Sequence, residues 1–227
     1  MRDFLWEISK IFRLRFFYLV TRGHIKRLTA IYVLITSFLS LMILGGIAFF
    51  LSWPLIFPSL GPTAFLIFYA PARAMSWPRN CLLGHLTGML CGFLIYFIFY
   101  CFSPEEAVQS EFGLTKTLFV SGAVGITALA MVLADILHPP AASTAMLSAG
   151  GYFKDPIEVL GFVLALVFIV MEGIVIHRLS GIIYPLWKGE KSEEQPFIRT
   201  KIGEVGEAPP SDDPYTNLAH RLVNRRE

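Results

Sequence analysis

From Thr29 to Ala72 the chain carries no charged side chain. About 20 apolar residues suffice to cross the hydrocarbon of a bilayer once, so this run exceeds one pass and cannot be a segment of a soluble core. Charge is scarce well beyond it. Residues 29–177 hold four Lys/Arg and seven Asp/Glu, whereas residues 1–28 alone hold seven Lys/Arg against two Asp/Glu. Overall 16% of residues are charged, against roughly 25% in soluble domains. The chain reads as a polytopic membrane protein. A water-soluble enzyme, a nucleic-acid-binding domain and a disulfide-stapled secreted protein are excluded.

The two ends differ from the middle. In residues 1–28, Phe4, Leu5, Ile8, Ile11, Phe12 and Phe16 recur at helical spacing with Lys10, Arg13 and Arg15 between them. That pattern predicts a basic amphipathic segment lying on an anionic leaflet. Asp3, Glu7 and the scarcity of Ser distinguish it from a transit peptide, and the apolar run that follows is too long for a cleavable signal. Residues 188–227 are polar, with a PPSDDP break, and read as a flexible cytoplasmic tail.

Between them, in a transmembrane domain over 29–180, apolar stretches fall near 29–52, 54–71, 81–102, 114–137, 139–150 and 157–179. Four are long enough to span. The second and fifth, WPLIFPSLGPTAFLIFYAP and HPPAASTAMLSAGG, are short and interrupted by Pro and Gly. The predicted fold is an all-α membrane helix bundle with two similar halves, 29–102 and 114–179. Each half contains a Pro/Gly-broken or re-entrant half-helix, with Pro62 and Pro140 in equivalent places. Paired broken segments in matching positions point to a transporter's binding site.

The Lys/Arg asymmetry places both termini in the cytoplasm; the membrane is expected to be a bacterial inner membrane. If the broken segments cross, there are six passes and inverted halves, with Arg73 and Arg79 inside and SPEEAVQSE outside. If they are re-entrant there are four, and Glu105, Glu106 and Glu111 face the cytoplasm.

Several residues in these segments have the chemistry to bind or gate. Double proline ends one helix and suits the start of the next, so His138-Pro139-Pro140 predicts a helix beginning at Pro139 or Pro140, with Ser143 and Thr144 in its first turn. Free N–H groups and the positive dipole end there suit an anion. Ser59, Gly61, Pro62 and Thr63 offer the same parts in the first half. Two such starts meeting at mid-membrane present two sets of donors to one small anion; ordinary tight loops are the plainer alternative. Intramembrane His85, Asp135, His138, Glu172 and His177 are functional candidates because charge in lipid is costly. Asp135 precedes His138 by three and on a continuing helix would pair with it, so Asp135, His138 and His85 are the candidate proton or gating groups; alternatively Asp135 caps the break. Glu172 and His177 near the end of the last stretch read as structural. Arg79 and Asn80 in WPRN suit an anion vestibule, or a snorkelling arginine. Gly84, Gly88 and Gly92 recur once per turn and predict close helix packing, within the chain or between protomers. A homo-oligomer is expected, since so few helices leave little wall for a path. Cys81, Cys91 and Cys101 form no CxxC pair and read as packing residues; no metal and no cofactor are expected.

SLGPTAFLIF, WPRNCLLGH and HPPAASTAM together resemble the HPP family of integral membrane proteins, named for the motif that His138-Pro139-Pro140 forms here. The resemblance covers roughly residues 29–180. Where the family often has Ala-Gly-Ala after the prolines, this chain has Ala141-Ala142-Ser143. Members are usually described with four membrane spans, and plant and cyanobacterial relatives are associated with nitrite transport. The resemblance therefore implies a transporter or channel for a small inorganic anion, nitrite first, and no enzyme. Three alternatives remain: an intramembrane enzyme, for which Ser143 with His138 is the one nucleophile–base pair; a haem protein with His85, His138 or His177 as axial ligands; and a structural membrane scaffold, which fits the glycine seam but gives no reason for duplicated broken segments.

Overall fold

The computed structural model describes residues 25–108, 113–180, 182 and 184–189. The amphipathic segment predicted in residues 1–28 and the tail predicted from 188 lie almost wholly outside them. The described residues belong to one compact unit ending at Gly189. They form helices α1 (Ile25–Leu51), α2 (Leu60–Tyr69), α3 (Pro78–Phe102), α4 (Pro104–Val108), α5 (Leu114–Leu133), α6 (Ala141–Ala149) and α7 (Pro156–Ser180), with a 3₁₀ turn at Ala74–Ser76. Four of them, α1, α3, α5 and α7, are long and apolar enough to cross a membrane. Their outward faces carry Leu34, Leu90, Leu129 and Met171 largely exposed, as lipid-facing helices require. This is the all-α membrane bundle that the charge-free runs predict.

Local chemistry sets the breaks. After Leu51 the chain turns through Ser52 at φ 53°, and Pro54 and Pro58 supply no N–H for a continuing helix. After Leu133 the same left-handed turn recurs at Asp135, also φ 53°, followed by Pro139 and Pro140. Pro78 sits at the first turn of α3, where its missing N–H costs nothing.

Contacts fix the direction of each pass. Helices α1 and α7 are antiparallel, since Tyr32 bonds His177 and Ser40 bonds Glu172 while Gly161, at the other end of α7, lies against Pro54. The broken segment then runs back alongside α7: Phe57 packs edge-on to Phe162, Ile67 lies against Gly173, and the Ile67 carbonyl accepts from His177. From Gly161 to His177 at 1.5 Å per residue is about 24 Å, most of a bilayer core. In the second half His138 lies against Gly84, Ala141 against Gly88, Ala145 and Ser148 against Gly92, and Tyr96 against Gly151. That segment advances with α3 by about 18 Å. Each broken segment thus re-traverses the bundle, half unwound and half helical, and the described chain makes six passes. The first half starts at the end where α7 finishes, and the second half starts at the opposite end. The halves are inverted.

The repeat is written residue by residue. Thr63-Ala64-Phe65-Leu66 matches Thr144-Ala145-Met146-Leu147, and each threonine is the fourth residue of its helix. Both helices bury their first, fourth, fifth, eighth and ninth residues: Leu60, Thr63, Ala64, Ile67 and Phe68 in α2, and Ala141, Thr144, Ala145, Ser148 and Ala149 in α6. This register pairs Pro58 with Pro139 and Phe57 with His138. It corrects the expected equivalence of Pro62 and Pro140. Pro62 is the third residue of α2, whereas Pro140 caps α6; the equivalent prolines are those that precede the helices.

Each short helix packs on the closing helix of the other half. A Cβ on Gly88 would stand 2.4 Å from the Ala141 carbonyl oxygen, and one on Gly92 2.6 Å from that of Ala145. The glycine seam of α3 is therefore filled within the chain by α6. Carbonyls at the end of α2 find side-chain donors: Leu66, which also accepts from the Ala70 N–H, accepts from the Ser76 hydroxyl at 2.9 Å, and Ile67 accepts from His177 Nε2 at 2.9 Å. Buried backbone in a membrane needs such partners.

Candidate functional site

The two half-helices meet at one imidazole. His85 on α3 holds Thr144 Oγ1 2.7 Å from its Nδ1 and Thr63 Oγ1 2.7 Å from its Nε2. Its Nε2 also faces His138 Nε2 at 3.2 Å, and the rings meet edge to face with centroids 4.8 Å apart. His138 Nδ1 lies 2.7 Å from the Met75 carbonyl oxygen. Thr63, His85, His138 and Thr144 are all fully buried. Phe162 closes the site edge-on against His85.

The protons in this cluster follow from its acceptors. A carbonyl only accepts, so His138 Nδ1 carries a hydrogen, and in the neutral ring Nε2 is an acceptor. His85 then donates from Nε2, toward Thr63 and His138, and accepts at Nδ1 from the Thr144 hydroxyl. Thr63 in turn donates to the Ser59 carbonyl at 3.1 Å. Every donor and acceptor is matched with both rings uncharged, which is how a buried polar network becomes tolerable in lipid.

Of the residues singled out in sequence, Thr63, His85, His138 and Thr144 come together. Ser59 is buried beside them and its hydroxyl has no partner. Pro62 and Pro139 face outward, and Gly61 and Ser143 are half-buried. Pro140 is buried as the cap of α6. The backbone donors expected after the prolines are already in use at α6: the N–H groups of Ala141, Ala142 and Ser143 donate to the carbonyls of His138, Pro139 and Pro140 at 3.0–3.1 Å. At α6 the donors that remain are side chains.

The predicted Asp135–His138 pair does not form. Both ring nitrogens of His138 are engaged elsewhere, and Asp135 is exposed at the turn after α5. Its carbonyl accepts from Arg79 Nη1 at 3.1 Å. Asn80 is buried and donates to the Ala74 carbonyl at 2.9 Å, so it ties the turn before α3 and does not line a vestibule; Arg79 is half-buried at that end. His177 and Glu172 do not pair with one another. His177 joins Tyr32, the Ile67 carbonyl and the face of Tyr184, and Glu172 accepts from Ser40. Among the described residues no cluster of metal-ligating side chains occurs. The rings of His85 and His138 touch directly, leaving no plane between them for a macrocycle, and His138 is turned to Met75 and His85 and away from the role of base to Ser143.

Sequence reasoning missed His85 as the hub and Met75 as the carbonyl that orients His138. The first had a readable signal. The Thr-Ala-x-Leu repeat marks both threonines as equivalent, and the glycine seam carries His85 on the face that α6 must cover. The Met75 carbonyl had none.

A family model of the HPP transmembrane region matches residues 22–191. No curated protein and no solved structure matches the chain.

Proposed function

This chain belongs to the HPP transmembrane-region family, and from that membership together with the geometry of the site we propose that it moves a small inorganic anion across a bacterial inner membrane. Nitrite is the first candidate, on the family resemblance. The observation that carries the reading is the convergence of Thr63 and Thr144, equivalent residues of two inverted half-helices, on a single buried imidazole. Inverted broken helices that meet between two halves are the architecture in which substrates bind and access alternates. The anion takes the hydroxyls of Thr63 and Thr144 and the unpartnered Ser59 hydroxyl as donors, with an imidazole N–H from the histidine pair. A reversible charge there suits release better than a fixed arginine.

Both termini lie in the cytoplasm on this reading. The end of the bundle where α7 finishes carries Arg73, Arg79, Arg178 and Lys188, against Lys116 and Lys154 with Glu105 and Glu106 at the opposite end, an excess of Lys/Arg in the sense of the positive-inside rule. The protein works as a transporter or channel and not as an enzyme, and assembles as a homo-oligomer. The test is uptake of nitrite, nitrate, formate and chloride into vesicles holding the purified chain, against protein-free vesicles. Uptake of one of them that is lost in His138→Ala supports the reading, and wild-type vesicles indistinguishable from empty ones for every anion overturn it.

A further inference from the structure

Of the two crossings that the repeat relates, only one is titratable. The register that pairs Phe57 with His138 sets their ring partners, Phe162 of α7 and His85 of α3, in matching places at the two crossings. Phe57 and Phe162 pack edge to face with centroids 5.2 Å apart, and His138 and His85 do the same at 4.8 Å. The fold accepts either ring at this crossing, so the histidines are there for their nitrogens.

Those nitrogens take one proton between them. In the neutral pair a single hydrogen lies between the two Nε2 atoms, 3.2 Å apart. An added proton goes to His85 Nδ1, the one ring position that accepts from outside the pair, and His85 then donates to Thr144 Oγ1. The shared hydrogen can sit on either Nε2, so the charge is spread over both rings. A second proton would set two N–H groups head to head at that distance. Adding the first also turns the Thr144 hydroxyl from donor to acceptor and frees its own hydrogen for a new partner. The groups facing the pair are Thr63 from α2, the Met75 carbonyl, Thr144 from α6 and Phe162 from α7, all uncharged. Nearby, Cys81 and Tyr184 both point their protons at the Ser76 carbonyl, and Arg79 holds the Asp135 carbonyl.

We infer that the His85–His138 pair is a one-proton site coupled one-to-one to the transported anion, so that a monovalent anion and its proton cross together without net charge. This rests on the transport reading above. A buried cation with no counter-charge is costly, and so is a buried anion; each removes the other's penalty, and the proton that arrives also exposes the Thr144 donor that the anion needs. Both leave on the far side and the neutral network closes again.

The full chain is reconstituted in vesicles with a lumenal pH dye and a potassium–valinomycin voltage clamp, and an inward nitrite or nitrate gradient is imposed. Protein-free vesicles are subtracted, because nitrous acid crosses lipid unaided. Lumenal acidification of one proton per anion, at a rate unchanged by the clamped voltage, is expected. Anion uptake without protons, or a rate that follows voltage, overturns the inference. The double variant His85→Phe/His138→Phe reproduces the Phe57–Phe162 pair and is expected to remain folded and monodisperse in detergent while losing proton movement; one-to-one coupling retained in it is equally fatal. If wild type takes up no anion, the transport reading fails by itself, and nitrogen NMR of labelled histidine in bilayers decides the site. A difference of one proton between wild type and the double variant over the titration supports it, and a difference of two or none overturns it.

Discussion

At the scale of single residues, two histidines that look alike in sequence do different work. His138 and His177 are both fully buried, yet His177 donates to the Ile67 carbonyl and accepts from Tyr32, while His138 faces a second imidazole. His177→Ala strands a carbonyl at the end of α2, which costs about 1–3 kcal/mol. A lower melting temperature in detergent is expected, with transport per folded molecule unchanged at low temperature; unaltered melting would remove the capping role. His138→Ala strands the Met75 carbonyl in the same way and should lower melting comparably, but unlike His177→Ala it should also reduce uptake per folded molecule about tenfold or more, the size of one lost charge-assisted contact. Wild-type uptake should rise as the pH on the substrate side falls, since the proton loads with the anion. Thr144→Val isolates the relay: it leaves His85 Nδ1 without its donor, and uptake should lose its pH dependence before it loses protein yield.

Among the elements, α3 and α6 form the tightest pairing, and glycine is what permits it. Even a methyl group on Gly88 would press the Ala141 carbonyl, whereas nothing stands within 4 Å of one on Gly46. Gly88→Leu should therefore cost well over the roughly 1–3 kcal/mol of ordinary overpacking, read as loss of monodisperse protein in detergent, with Gly46→Ala as the silent control. This seam was legible in the sequence, because one glycine per turn leaves a groove that only another helix fills. The two-half plan was legible as well, from the order long, broken, long. The register between halves was not read correctly, since proline draws the eye and Pro62 lies inside α2; the quieter Thr-Ala-x-Leu match held it. The Asp135–His138 pair failed for a related reason. It presumed a continuing helix, and the chain leaves the helix at Leu133, two residues before the aspartate.

For the whole molecule, the number of passes decides which loops face which side, and the two predicted topologies give opposite answers. Four helices are long enough to span alone, and counting them alone puts residues 103–113 on the side of the termini. The direction of α2 along α7 and of α6 along α3 makes the broken segments cross as well, which puts α4 opposite the start of α1 and the end of α7 and returns 72–77 to their side. The Lys/Arg balance agrees, with Arg73, Arg79, Arg178 and Lys188 at one end against Lys116 and Lys154 at the other, where Glu105 and Glu106 also lie, although acidic residues weigh little in orientation. In a variant lacking Cys81, Cys91 and Cys101, single cysteines replace Ala72 and Ser103. Both positions are accessible, Ala72 exposed and Ser103 half-buried. With cytoplasmic termini and six passes, a membrane-impermeant maleimide added to intact cells labels the cysteine at 103, and labels the one at 72 only after permeabilisation. Four passes with cytoplasmic termini predict the opposite pattern. Inverted insertion is told apart by a reporter fused after residue 227, which must be active in the cytoplasm for the six-pass orientation to stand.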